Sequence, residues 1–164
     1  MAKKKKTAPE ARNGHIASNK RARHDYTLID KFEAGLVLLG SEVKTLRQGR
    51  CQITDGYISV DDNEEVWLEN ISIPPYNHAA NTKFVNHTER RKRKLLLHRV
   101  EISKIRKAVE QKSQTAVPLS LYFSKGKAKL EFATAKGKHT YDKRESIKER
   151  DISRDVERQV KGAL

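Results

Sequence analysis

The chain has 164 residues, with 35 Lys and Arg against 21 Asp and Glu, a formal net charge of +14 and a pI near 9.9. That length suits one domain with extensions, and so strong a charge opposes compaction and favours a polyanionic partner. No stretch approaches the ~20 apolar residues of a spanning helix, no signal peptide follows Met1, and the lone Cys51 excludes an internal disulfide and a multi-cysteine metal site.

Residues 1–14 carry a run of four lysines and are expected to be disordered. Over residues 15–23 a short helical turn is expected, bearing Asn19, Lys20, Arg21 and Arg23. Tyr26, Leu28, Asp30, Phe32, Ala34, Leu36 and Leu38 then share one largely apolar parity, the pattern of a half-buried strand. Gly35 marks a bulge or bend within it. Gly40 and Ser41 stop that strand, with Ser41 as the expected helix N-cap and Glu42 in the first turn. Val43 and Leu46 form a small apolar face, and Gly49 closes the helix.

Residues 53–60 and 66–73 read as strands joined by a turn at Asp61, Asp62 and Asn63, with Pro74 and Pro75 ending the second. Residues 76–93 read as a polar loop that leads into the cluster Arg90, Arg91, Lys92, Arg93 and Lys94. Leu95, Leu96 and Leu97 then enter the core. Ile102, Ile105 and Val109 recur at helical spacing, with Lys104, Arg106, Lys107 and Lys112 outside. Val117, Leu119, Leu121 and Phe123 alternate along a strand, Ser124, Lys125 and Gly126 turn the chain, and Leu130 and Phe132 alternate with Lys129 and Glu131. Tyr26, Tyr57 and Trp67 are assigned to the core, and Tyr122 to the outside.

The sum is a mainly β fold of five or six mostly antiparallel strands. A short helix follows the first strand and a longer one precedes the last pair. A small closed antiparallel barrel of the oligonucleotide-binding type, with accompanying helices, removes the edges of strands this short; a sandwich is the alternative. Residues 15–137 form that barrel domain, and residues 138–164 form a tail. In the tail Ile152, Val156, Val160 and Leu164 fall four apart, as do Arg150, Arg154 and Arg158. A helix of this length is marginal alone, so the tail is expected to be disordered until something receives it as a helix. Eight basic against six acidic residues make it only mildly basic. The positions of its charges must therefore matter more than their sum.

Three basic clusters are suited to phosphate: Lys20, Arg21 and Arg23; residues 90–94; and Lys125, Lys127 and Lys129, of which Lys127 and Lys129 share a solvent face. His139 is placed to meet phosphate or base, and Tyr141 to stack where no core can bury it. No nucleotide-binding glycine loop, nucleophile elbow or metal-ligand spacing is present, so neither an enzyme nor a cofactor or metal is expected. The carboxylates Asp61, Asp62, Glu64 and Glu65 fall at a hairpin turn. Turn solvation is favoured over a magnesium-dependent nuclease there. The residues alone point to a single-domain RNA binder in the cytoplasm.

Six segments, in order, resemble the SmpB family, the SsrA-binding proteins of bacteria. They are residues 19–26 (NKRARHDY), 32–35 (FEAG), 40–44 (GSEVK), 93–98 (RKLLLH), 135–138 (AKGK) and 141–144 (YDKR). The resemblance implies an oligonucleotide-binding barrel that binds the tRNA-like domain of transfer-messenger RNA. It implies delivery of that RNA, in a complex carried by elongation factor Tu, to the decoding region of a stalled ribosome. The tail would lie as a helix in the vacant message path. It implies that Asn19, Lys20, Arg21, Arg23, Glu33, Leu96 and Lys129, with Lys127 beside them, form the RNA-binding face. Asp142, Lys143 and Arg144 would act on the ribosome, in a tail surface that also takes in Lys138, His139, Tyr141, Lys148 and Arg150. Tyr141 stands where many members carry His, which keeps stacking and removes imidazole chemistry. A monomer is expected, with no membrane partner.

Overall fold

The computed structural model of the chain describes residues 14–76, 86–111 and 114–138. The N-terminal lysine run and the tail residues His139, Tyr141, Asp142, Lys143, Arg144, Lys148 and Arg150 lie outside these, as does Lys112. The described elements run β1 (Gly14–Ser18), α1 (Lys20–Asp25), β2 (Tyr26–Leu36), α2 (Gly40–Arg47), β3 (Tyr57–Val60), β4 (Val66–Glu69), β5 (Arg93–Leu96), α3 (Arg99–Glu110), β6 (Gln114–Ser124) and β7 (Lys127–Gly137). No helix among them is long and apolar enough to cross a membrane.

All strand pairings are antiparallel, in the order β1-β6-β3-β4-β5-β2-β7, and β7 pairs with β6 as well. That last pairing closes six strands into a ring, with β1 added outside on β6. The mainly β, closed-barrel expectation is met, with seven strands among the described residues rather than five or six. The extra strand is β1, where a helical turn was expected from residue 15; the helix starts only at Lys20. His15 and Ala17 are instead held by Tyr122 and Leu121 of β6, so a tertiary pairing overrides a weak local preference.

The barrel interior is filled by alternate residues of each strand. Leu121 and Phe123 of β6, Leu130 and Phe132 of β7, Ala34 of β2, Ile58 of β3, Val66 and Leu68 of β4 and Leu95 of β5 are all buried there. Phe32 stacks on Phe132 with ring centroids 5.5 Å apart. Ile105 of α3 and Leu46 of α2 complete this core. The β6–β7 hairpin turns through Lys125 (φ 49) and Gly126 (φ 76), both left-handed, which matches the twist of the flanking strands.

A second, smaller core lies outside the barrel. Ala22 of α1 packs on Val117, Leu119, Ala133 and Ala135, with Tyr26 and Leu28 at its margin. Small side chains at 22, 133 and 135 let α1 lie close on the sheet. Two bulges make this possible, one in β2 between Leu28 and Lys31 and one in β6 between Pro118 and Ser120. Each reverses side-chain parity. Val117 and Leu119 therefore face α1, while Leu121 and Phe123 face the barrel interior. The bulge expected at Gly35 is absent: Gly35 pairs regularly with Leu96 and Lys129. The β2 bulge is seated instead by the buried Thr134 hydroxyl, which accepts from the Asp30 N–H at 3.2 Å.

Several local readings need correction. The α2 N-cap is Leu39, whose N–H donates to Glu42 Oε2 at 2.8 Å; the Ser41 hydroxyl instead meets His87 Nδ1 at 2.9 Å. The other ring nitrogen, His87 Nε2, donates to the Ile73 carbonyl at 2.9 Å. Strands β3 and β4 are shorter than the apolar runs that suggested them. Asn70 is left-handed (φ 57) and ends β4, so Ile71 and Ile73 reach the core although they share the sequence parity of Trp67, which β4 turns to the opposite face from the buried Val66 and Leu68. Trp67 therefore faces outward, its indole N–H donating to Asp61 Oδ2 at 3.1 Å. Tyr57 is exposed and donates to Glu69 at 3.1 Å. Gly49 ends α2 as expected, its N–H donating to Leu46 O at 2.9 Å with φ at 71.

Candidate nucleic-acid interface

The outer face of the barrel is organised by register. Leu96 of β5 pairs with Gly35 of β2, Gly35 with Lys129 of β7, Lys129 with Tyr122 of β6, and Tyr122 with His15 of β1. Directly paired residues project to one side of a sheet. Leu96, Lys129, Tyr122 and His15 thus form one row across five strands, with a bare backbone at Gly35. Leu96 is 55% exposed, so the expectation that all of residues 95–97 enter the core fails at its middle member: the strand alternation puts Leu95 in and Leu96 out. The next row along holds Glu33, Glu131 and Ser120.

Glu33 links the two rows. Lys129 Nζ donates to its Oε1 and the Tyr122 hydroxyl to its Oε2. The Lys129 hydrogen bond first, and the Tyr122 bond second, hold its carboxyl below the usual carboxylate range. Tyr122 moves the other way: burial and the Glu33 carboxylate push its hydroxyl up to about 12. At neutral pH the pair is a fixed anion beside a fixed phenol. Glu131 accepts from the Ser120 hydroxyl at 3.0 Å and lies 3.8 Å from Lys31. Lys127 is exposed at the start of β7.

Helix α1 borders this face. Its N-cap is Asn19, which is 7% exposed. Asn19 Oδ1 accepts from the Ala22 N–H at 3.1 Å, and its Nδ2 donates to the carbonyls of Pro118 (3.1 Å) and Thr54 (3.3 Å). Its backbone N–H donates to Leu119 O at 2.8 Å. Asn19 therefore seats the helix in the β6 bulge, and its amide is engaged on both ends. Lys20, Arg21 and Arg23 are exposed around it, and none forms an ion pair among the described residues. Lys20 and Arg23 line a groove of about 430 Å³ with His15, Ser18, Ser120 and Glu131. That groove joins α1 to the exposed rows. The far end of α1 is held by Lys138, whose N–H donates to Asp25 O at 3.0 Å and whose Nζ donates to Arg23 O at 3.3 Å.

The basic cluster at 90–94 is different in kind. Arg93 is fully buried, its Nε donating to Glu42 Oε1 at 2.9 Å and its two Nη groups to the carbonyls of Ile71, Arg91 and Glu89. Arg91 also binds Glu42, Lys92 lies 3.1 Å from Glu69, and Lys94 binds Glu65. Four of its five cations are ion-paired within the fold, because the buried Glu42 and the acidic β3–β4 hairpin draw them in, and the fifth, Arg90, donates to Asn70 Oδ1 at 3.2 Å. Composition could not separate these from the exposed cations of α1. The acidic hairpin is equally engaged. Asp61 Oδ1 accepts from the N–H groups of Asn63 (3.0 Å) and Glu65 (2.8 Å), and Arg106 lies 3.8 Å from Glu64. Among the described residues no three His, Cys, Asp or Glu side chains converge on a metal geometry.

The family model described as SmpB protein matches residues 16–162. The chain belongs to the SmpB family. It is 53% identical over 148 residues to an SsrA-binding protein of Streptomyces avermitilis, covering 90% of this chain and 81% of that one. It is 51% identical over 149 residues to the SsrA-binding protein of Sulfurihydrogenibium sp., covering 91% and 95%. With that of Mycolicibacterium vanbaalenii it shares 46% over 160 residues, covering 98% and 94%. A chain in the solved structure "tmRNA-SmpB: a journey to the center of the bacterial ribosome" matches with a TM-score of 0.64 and 41% identity, covering 82% of this chain and 95% of that one. The SmpB barrel of this chain is thus read against relatives that span nearly its whole length.

Proposed function

We propose that this SmpB-family chain binds the tRNA-like domain of SsrA RNA and brings it to stalled ribosomes for trans-translation. It acts as a binding protein rather than an enzyme. The observation that carries the reading is the single outward face on which the unpaired cations of α1 adjoin the row Leu96, Lys129, Tyr122 and His15. Unpaired cations release counterions from a phosphate backbone, and the apolar and aromatic groups beside them contact unstacked bases. Lys20, Arg21, Arg23 and Lys127 serve the backbone, and Lys129 serves the face by holding Glu33. Glu33, Leu96 and Tyr122 meet bases or ribose. Asn19 serves the same face by holding α1 in place.

The tail beginning at Lys138, with Asp142, Lys143 and Arg144, acts separately, on the small-subunit decoding region and along the empty message path. Elongation factor Tu joins through the RNA. The protein works as a cytoplasmic monomer. The names of its relatives, SsrA-binding proteins, support the RNA partner, and the ribosomal setting of the solved neighbour supports the destination.

The test is retention of RNA from a bacterial lysate by the full chain, followed by sequencing and by competition with bulk transfer RNA at fixed salt. Strong enrichment of SsrA RNA that survives competition is expected. Equal retention of bulk transfer RNA would reduce the protein to a general RNA binder.

A further inference from the structure

The arrangement of Glu33 suits one base better than the others. Each of its carboxylate oxygens already accepts one hydrogen bond, Oε1 from Lys129 and Oε2 from Tyr122. Each oxygen has a second lone pair, and the side chain remains about half exposed. One lone pair on each oxygen thus remains on a half-exposed carboxylate that two donors hold. Two residues further along β2, on the same face and about 7 Å away by strand rise, lies Gly35. Leu96 leans over it: a Cβ at Gly35 would lie 3.6 Å from Leu96 Cβ and 3.7 Å from its Cδ1. An apolar platform thus stands one base-length from a preset pair of acceptors.

A carboxylate accepts and does not donate. Adenine, cytosine and uracil each place an acceptor beside the donor on their pairing edge, which an anion repels. Guanine alone among the four standard bases presents two adjacent donors there, N1–H and N2–H. We propose that Glu33, Leu96 and Gly35 form a subsite for one unpaired guanine of the bound RNA. Its face rests on Leu96, and its N1–H and N2–H donate to Glu33. Lys129 and Tyr122 are positioning residues that hold the carboxylate in register. Ionisation of Glu33 at neutral pH, favoured by its hydrogen bond from Lys129, fits this role.

The proposal rests on the RNA-binding reading above and is tested with the full chain and a transcript of the tRNA-like domain. Each unpaired guanine is replaced in turn by inosine, which lacks only the N2 amino group. At one position inosine should weaken binding by about tenfold or more, the loss of one charge-assisted hydrogen bond. Glu33→Ala should bind the guanine and inosine transcripts at that position equally. Glu33→Gln, which offers one donor and one acceptor, should shift the preference there towards adenine. Thermal melting checks that both variants keep the fold, as their exposed position predicts. A parallel scan with 2′-deoxy sugars provides the rival: if deoxy rather than inosine substitution couples to Glu33, the carboxylate reads ribose and the guanine subsite is wrong. No inosine position coupled to Glu33, in RNA that still binds, overturns this proposal alone. Failure of the transcript to bind at all overturns the RNA-binding reading with it.

Discussion

Glu42 and Arg93 form an ion pair of 2.9 Å in which neither side chain touches solvent. Burial alone would push the Glu42 carboxyl up. The Arg91 hydrogen bond, the Leu39 N–H and the charges of Arg93 and Arg91 outweigh it and hold the group below its ordinary value. The pair ties α2 to β5, and the Arg93 Nη groups donate to the carbonyls of Ile71, Arg91 and Glu89.

Removing one partner leaves a buried charge without compensation, which costs about 3–5 kcal/mol. Glu42→Gln is expected to lose about that much in urea denaturation, with little effect on surface RNA contacts. Since the folded value lies below the ordinary 4.5, the stability from Glu42 is whole above that pH and is lost as pH falls through the lowered value. The variant should therefore show a flatter acid limb than the parent chain. An unchanged acid limb would mean that Glu42 does not govern acid stability.

Asn19 is the second test of a fold-level role. Asn19→Ala removes a helix cap, typically about 1 kcal/mol, and leaves the carbonyls of Pro118 and Thr54 unsatisfied. Amide exchange should rise in α1 more than in β7, and RNA affinity should fall in proportion. Asn19→Asp retains the cap acceptor but not the two donated bonds, so it should recover only part of both. A full loss of RNA affinity with α1 still protected would make Asn19 a direct contact.

The exposed cations of α1, unpaired among the described residues, predict a salt signature. Replacing Lys20, Arg21 and Arg23 together by Ala should lower the slope of log affinity against log salt by about 2–3. The same treatment of Lys92 and Lys94, which are tied to Glu69 and Glu65, should change the slope much less. Titrations at several salt concentrations with one RNA decide between them. Equal slopes for the two variants would remove α1 from the interface.

Cys51 gives a pH test of the core. Burial pushes its thiol up from 9.0 to about 12, against a smaller opposing pull from Arg93. Only the thiolate reacts with alkylating agents. At pH 8 the folded chain should be modified far more slowly than the urea-unfolded chain. Since the folded value is raised, stability from the neutral thiol is full below 9 and falls as pH rises towards 12. Cys51→Ala should flatten that alkaline decline. Rapid modification of the folded chain would show that the site opens easily.

Much of this architecture was legible in the chain. The apolar alternation of β2 and β7, the turn at Asp61, the end of α2 at Gly49 and the helical spacing of Ile102, Ile105 and Val109 all follow from local periodicity. What escaped depends on one-residue offsets that only pairing reveals. The bulge beside Leu28 has no residue signature and that beside Leu119 only Pro118, yet they send Val117 and Leu119 to α1 and create the second core. The left-handed Asn70 moved Trp67 from inside to outside. In the interface, the cations of α1 were visible as a cluster. That Arg93 belongs to Glu42 was not, because the two stand 51 positions apart. The Leu96-to-His15 row spans five strands and exists only in the register. Family resemblance alone singles out Glu33 and Leu96 as contacts; the hydrogen bond from Tyr122 to Glu33 and the pairing of Leu96 with Gly35 depend on the fold.

The seam between β6 and β7 also bears on how this protein is made. Strand β2 emerges early in synthesis, but its neighbour β7 is produced roughly 100 residues later, about 5–20 s at ordinary elongation rates. Until then the ring stands open, and Lys129 has not been added. A product cut short before residue 127 can neither close nor present the contact row. Only copies translated to the last strand can present that row, so the order of the chain acts as its own quality control.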